Sequence, residues 1–220
     1  VWSSCSPDFG EGGAVDRFGQ IAPKVLFAVA EYFHKGKRIC LRERVSNIHS
    51  KLPSNPKTIF FEYDEELGGS EASAAAAAAL PSGVGFLAQE LKLGESSSSE
   101  EVMNYEMVSV DHPVYTMFSS GTTGLPKCMA QGFGVYVTHM KEHLLHHSMT
   151  EDDVYLQFTT TGWMMWNYKV TALAPGATLV AYEGDPMTPT PSTIFDVCAT
   201  AGVTTLVLSA RRLPVAHAVD

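Results

Sequence analysis

Hydrophobic and polar positions change period several times along the chain, and the changes mark out alternating strands and helices. After Pro23, the run Val25 to Ala30 has the length and apolar continuity of a buried strand. Leu41, Val45, Ile48 and Leu52 then recur at helical spacing, with arginine and asparagine between them, until Pro53 ends the pattern. TIFFEY (58–63) returns to strand character, so residues 14–61 read as strand, helix, strand. A second alternating stretch begins near 113. VYTMFSS (114–120) predicts a strand, residues 121–127 a Gly/Thr loop, and 133–147 a helix. VYLQFTT (154–160) predicts another strand, WMMWNYKVTALA (163–174) a helix closed by Pro175 and Gly176, and ATLVAY (177–182) a further strand. Ser192 is placed to cap a helix running to about Ala201, and VTTLVLS (203–209) predicts the last strand. Strands separated by single helices have the spacing of parallel crossover units. The expected fold is α/β, a largely parallel sheet with helices on both faces.

Residues 62–106 interrupt this rhythm. LGGSEASAAAAAALPSG and ESSSSEE are low in complexity and offer little area to bury, which predicts a solvated spacer rather than a docked alanine helix. The expected organisation is a partial N-terminal α/β segment at 1–61, an acidic spacer at 62–106, and a second α/β segment at 107–220.

Charge sharpens that division. The 220 residues carry a formal net charge of −9, but 1–61 is net +4, 62–106 net −9 and 107–220 net −4. The acidity of the whole equals that of the spacer, so it says little about ligands; it still argues against a nucleic-acid partner. No apolar run approaches the roughly 18 residues needed to span a bilayer, so no membrane is expected. The four cysteines form no CxxC pair, which predicts reduced thiols and a cytosolic home. A first residue of Val1 and a start lacking an apolar leader region suggest part of a longer, unexported product.

The stretch with the most chemical content is Ser119-Ser120-Gly121-Thr122-Thr123-Gly124-Leu125-Pro126-Lys127. Gly121 and Gly124 remove side-chain bulk, so a polyphosphate would lie against backbone N–H groups. Ser119, Ser120, Thr122 and Thr123 add hydroxyls, Lys127 adds a positive charge, and Pro126 restrains Leu125. The spacing is not that of a Walker A loop, which has a hydroxyl residue after its lysine. His139-Met140-Lys141-Glu142-His143 spells H-x-x-E-H, a zinc-peptidase pattern. It has no accompanying acidic ligand motif, so no metal site is assigned to it.

The segment YTMFSSGTTGLPK resembles the phosphate-binding motif of the adenylate-forming superfamily, which includes acyl-CoA synthetases, peptide-synthetase adenylation domains and luciferases. WSSCSPDFG, DRFGQIAPKVLF, KEHLLHHSM, TTTGWMMWN and GDPMTPTPSTIFDV are similar to its acetoacetate-activating branch. The likeness covers about 1–61 and 107–210. It implies part of a large N-terminal domain that activates acetoacetate with ATP and Mg²⁺, releases pyrophosphate, and passes the acyl group from AMP to CoA. It implies that Ser119, Ser120, Gly121, Thr122, Thr123, Gly124 and Lys127 hold the β- and γ-phosphates. It also implies an acyl pocket bordered by Gly162, Trp163, Met164, Met165 and Asn167. Asn167 falls where acetyl-activating relatives carry histidine, and Trp166 where they carry glycine, which suggests that Asn167 donates to the 3-keto oxygen. Packing of an apolar helix is the competing account of this stretch. The family's catalytic lysine and its adenine- and ribose-binding segments have no counterpart in 107–220, so no catalytic residue is assigned. The alternative function is a non-catalytic fragment that binds nucleotide or pyrophosphate, or serves as an interaction module.

Overall fold

Helix α2 (Arg42–Lys51) shows how the helical spacing read from the sequence organises the first part of the chain. Leu41, Val45, Ile48 and Leu52 are all 7% exposed or less, and burial of such side chains stabilises by about 1.5–3 kcal/mol each. Their stripe serves two clusters: Leu41 and Val45 meet Ala30, Phe60 and Phe86, while Ile48 and Leu52 meet Ala14, Phe18 and Leu26. The structure is a computed structural model and describes residues 1–61, 83–87, 105–119 and 124–209.

The sheet under α2 is parallel. β2 (Val25–Val29) pairs with β5 (Lys57–Phe61), and β5 with β6 (Val84–Phe86). β6 corrects the expectation for 62–106, because Phe86 is fully buried and its ring lies 5.9 Å from that of Phe60. That stretch is therefore not spacer throughout; its polyalanine and polyserine runs lie outside the described residues. Four further elements join the expected strand, helix and strand. β1 (Trp2–Ser3) opens the chain, α1 (Glu11–Ile21) buries Ala14 and Phe18, and β3 (Glu31–His34) forms a hairpin with β4 (Lys37–Cys40). Lys35 and Gly36 turn the hairpin at φ 49° and 74°.

The second part holds two more sheets. β7 (Pro113–Phe118) pairs in parallel with β1 and antiparallel with β8 (Cys128–Gly132). β8 was not expected, and it separates the Gly/Thr loop from α3 (Gly134–Lys141), which continues as a π-type turn over Glu142–His146. β9 (Val154–Gln157) is central in an all-parallel sheet, flanked by β10 (Thr178–Val180) and β11 (Thr205–Val207), with Tyr155 and Leu156 buried. The crossovers carry α4 (Met164–Val170), extended by a 3₁₀ turn over Thr171–Leu173, and α5 (Thr193–Ala201). Ser192 stands at the start of α5, but its hydroxyl donates to Asp196 Oδ2 at 3.1 Å instead of capping a backbone N–H. The architecture is α/β, with parallel pairings predominating and shared among three small sheets. Among the described residues, no helix is long and apolar enough to cross a membrane.

Candidate functional site

The Gly/Thr loop leaves β7 at Ser119 and re-enters the sheet through Lys127. The Ser119 N–H donates to the Lys127 carbonyl at 3.0 Å, and the Lys127 N–H donates to Ser119 Oγ at 3.3 Å. The loop therefore closes an antiparallel pair and does not lead directly into a helix. Donors to a phosphate would come from the loop itself and not from a helix N-terminus. Ser120, Gly121, Thr122 and Thr123 lie outside the described residues. Gly124 sits at φ +152°, a conformation that side-chain-bearing residues rarely adopt. Gly124 and Lys127 are both exposed. Gln20 of α1 donates to the Pro126 carbonyl at 2.9 Å, tying that helix to the end of the loop.

A cavity of about 330 Å³ lies where β7 meets this loop. Its walls come from three distant stretches: Trp2, Ser4, Phe9 and Arg17; Thr116, Met117 and Phe118; and Thr161, Gly162, Trp163 and Asn167. Gly162, Trp163 and Asn167 thus come together as one surface, whereas Met164 and Met165 do not border it. Trp163 is 61% exposed, so its indole is not core packing.

Backbone contacts hold the walls in place. Ser3 Oγ donates to the Thr116 carbonyl at 2.9 Å, extending the two-residue pairing of β1 with β7. The Ser4 hydroxyl donates to the Thr161 carbonyl, and Thr161 Oγ1 donates to the Cys5 carbonyl at 3.4 Å. Gly162 lies so close to the segment after β1 that a Cβ on it would be 2.6 Å from the Ser6 nitrogen. Burial pushes the Cys5 thiol up to about 11, against the opposing pull of Arg17. The thiol is therefore protonated at neutral pH and is no nucleophile.

Two charged groups went unassigned in the sequence. Arg17 projects from α1 with Nη1 donating to the Gly13 carbonyl at 2.7 Å and its guanidinium 4.6 Å from the centre of the Phe9 ring. Lys169 is 4% exposed; its Nζ donates to the Val180 carbonyl at 2.9 Å and lies 5.5 Å from the Trp166 ring. Burial lowers its pKa. It ties α4, which carries Asn167, to the end of β10. A lone lysine among the apolar residues of 163–174 was the available signal for it.

The H-x-x-E-H histidines are engaged in packing. His143 is fully buried, with Nε2 3.1 Å from the Tyr168 carbonyl and 3.2 Å from Thr171 Oγ1. Its ring centre is 4.4 Å from that of Tyr168, and His139 stands edge-on to the same tyrosine at 5.0 Å. Glu142 pairs instead with Lys141 at 2.9 Å. These histidines join α3 to α4.

The chain belongs to the AMP-binding enzyme family, which matches residues 1–213. It is 41% identical over 216 residues to the acetoacetyl-CoA synthetase of Macaca fascicularis, covering 98% of this chain and 31% of that protein. It is 34% identical to malonamoyl-CoA synthetase vrtB of Penicillium aethiopicum, covering 87% of this chain and 26% of that protein. Among solved structures, the acetoacetyl-CoA synthetase from Streptomyces lividans matches with a TM-score of 0.84 at 33% identity, over 99% of this chain and 31% of that one. The chain spans about a third of the length of these relatives.

Proposed function

We propose that the protein is an acid–thiol ligase that activates acetoacetate with ATP and transfers the acyl group to CoA. The observation that carries this is the shared strand: Thr116 to Phe118 of β7 wall the cavity, and the next residue begins the phosphate loop. An acid seated in the cavity therefore lies beside a triphosphate held on the loop. Its carboxylate oxygen attacks the α-phosphorus in line, the bond to pyrophosphate breaks, and an acyl-adenylate remains. The CoA thiol, losing its proton, then attacks the acyl carbon and AMP leaves. The first step brings an anion to a polyanion, so it depends on positioning and on donors that offset the charge. Loop donors and Lys127 serve the β- and γ-phosphates, and Trp163 forms a rigid wall for the acyl chain.

Asn167 supplies an amide donor to the 3-keto oxygen. Such a donor suits the acyl groups named for the relatives, since acetoacetyl and malonamoyl groups both carry a second carbonyl at C3. Magnesium would arrive with ATP. Residues 119–127 contain no carboxylate, and among the described residues no three His, Cys, Asp or Glu side chains gather to hold a metal. No step is assigned to it. Cys5, Cys40, Cys128 and Cys198 are free thiols, which supports a reducing, cytosolic location.

Acetoacetate-dependent exchange of pyrophosphate into ATP tests the assignment, with acetate and butyrate as competing acids. Acetoacetate is expected to be preferred, and Asn167→Ala to erase most of that preference. Equal use of all three acids would refute the substrate assignment. Pyrophosphate or ATP binding with no acid-dependent exchange would favour the second reading, nucleotide binding without turnover.

A further inference from the structure

Among the described residues, Arg17 is the only charged side chain that lines the 330 Å³ cavity. Among the described residues, no carboxylate pairs with it. Its guanidinium donates to the Gly13 carbonyl, and the Phe9 ring backs it. A guanidinium keeps its charge at any physiological pH and presents several N–H donors in a planar fork. Fixed on one side by Gly13 and Phe9, Arg17 retains donors for a ligand without the entropy loss of a free side chain.

Its position on α1 gives that charge a direction. One turn further along the same helix, Gln20 holds the Pro126 carbonyl at the end of the phosphate loop. The helix therefore reaches the cavity through Arg17 and the loop through Gln20. Asn167 and Thr116, on the other walls, add neutral polar groups, and Trp2 and Trp163 bound the space with indoles. One fixed cation among neutral polar and aromatic groups suits a ligand with a single small anionic end.

We propose that Arg17 makes this cavity an oxyanion site. On the reading above, on which this inference rests, the oxyanion is the carboxylate of the acid. Fixing it on a cation offsets its repulsion by the triphosphate and leaves the C3 carbonyl for Asn167. A phosphate is the other source of the same chemistry, and the experiment separates the two.

The test uses the 220-residue protein, Arg17→Met and Arg17→Lys, with circular dichroism to confirm folding. Dissociation constants are measured by calorimetry for acetoacetate, for its uncharged analogue acetoacetamide, and for pyrophosphate. A charge-assisted hydrogen bond of the usual strength predicts that Arg17→Met weakens acetoacetate binding about 10- to 100-fold. Arg17→Lys should lose less, and acetoacetamide binding should not respond to either change. Arg17 dependence for pyrophosphate but not acetoacetate would uphold the oxyanion site and sink the acid-pocket reading. Equal acetoacetate and pyrophosphate affinities in all three proteins, or no binding of either anion, would overturn the proposal. If Arg17→Met does not fold, the Arg17→Lys affinities and the acetoacetate-to-acetoacetamide ratio of the parent protein still decide it.

Discussion

Gly162→Ala is the sharpest probe of how the cavity is built. The added methyl would meet the Ser6 nitrogen at 2.6 Å, the Cys5 carbonyl carbon at 3.3 Å and Ser6 Cβ at 3.4 Å. The closest of these atoms belongs to backbone, so no rotamer change relieves the contact. Restoring an ordinary separation of about 3.4 Å requires the two segments to part by roughly 0.8 Å. Overpacking of this kind costs about 1–3 kcal/mol. The same displacement stretches the Ser4–Thr161 and Thr161–Cys5 hydrogen bonds, which cross the same gap. A loss of about 2 kcal/mol lowers the melting temperature of a chain this size by about 4–8 °C. Thermal melts followed by circular dichroism measure it directly.

The control is Gly19→Ala. Gly19 lies inside α1, and a Cβ there meets nothing within 4 Å. Alanine should therefore stabilise by about 0.5–1 kcal/mol through helix propensity and unfolded-state entropy. The two glycine replacements should move the melting temperature in opposite directions. A Gly162→Ala protein that melts with the parent would show that the 5–6 and 161–162 backbones are not in contact, and the cavity wall would have to be redrawn.

Phe86→Ala should cost about 3–5 kcal/mol in urea titrations, because it empties a fully buried ring position; an unchanged midpoint would return residues 84–86 to the spacer. Trp163→Ala should change stability by less than about 0.5 kcal/mol, as fits an exposed side chain, while weakening acetoacetate binding about tenfold; a large stability loss would mean that the indole packs in the core. Burial holds the imidazoles of His139 and His143 below their ordinary pKa, so the unfolded chain takes up protons first as pH falls through about 6.5, and stability present above that pH is lost on acidification. The melting temperature should therefore fall between pH 7 and 5, and less steeply in His143→Gln; identical slopes would refute the assignment.

The helix and strand pattern was legible where many side chains shared one periodic face. Leu41, Val45, Ile48 and Leu52 repeat over three turns, and all four are buried. Helix α1 was hidden because Gly12, Gly13 and Gly19 dilute its apolar positions and lower its propensity. The β3–β4 hairpin and β8 are four or five residues long, with half or more of each exposed. Such strands depend on a paired neighbour, and a single segment carries no record of that neighbour. Phe86 was lost for a related reason: one aromatic strand of three residues sits between two biased stretches whose composition dominates any local window.

The cavity follows the same rule at larger scale. Gly162, Trp163 and Asn167 were legible because they lie within six consecutive residues of a recognisable motif. Met164 and Met165 belong to that motif too, but a helix sends successive side chains about 100° apart, so adjacency in sequence cannot put all five on one surface. The opposite wall is unreachable by motif, since Trp2, Ser4 and Arg17 meet it only through pairing of Trp2 with Tyr115 and Ser3 with Thr116. A strand of two residues has no periodicity to detect. Its register nevertheless decides where the N-terminal segment lies against β7, and with it whether the cation of α1 faces the cavity.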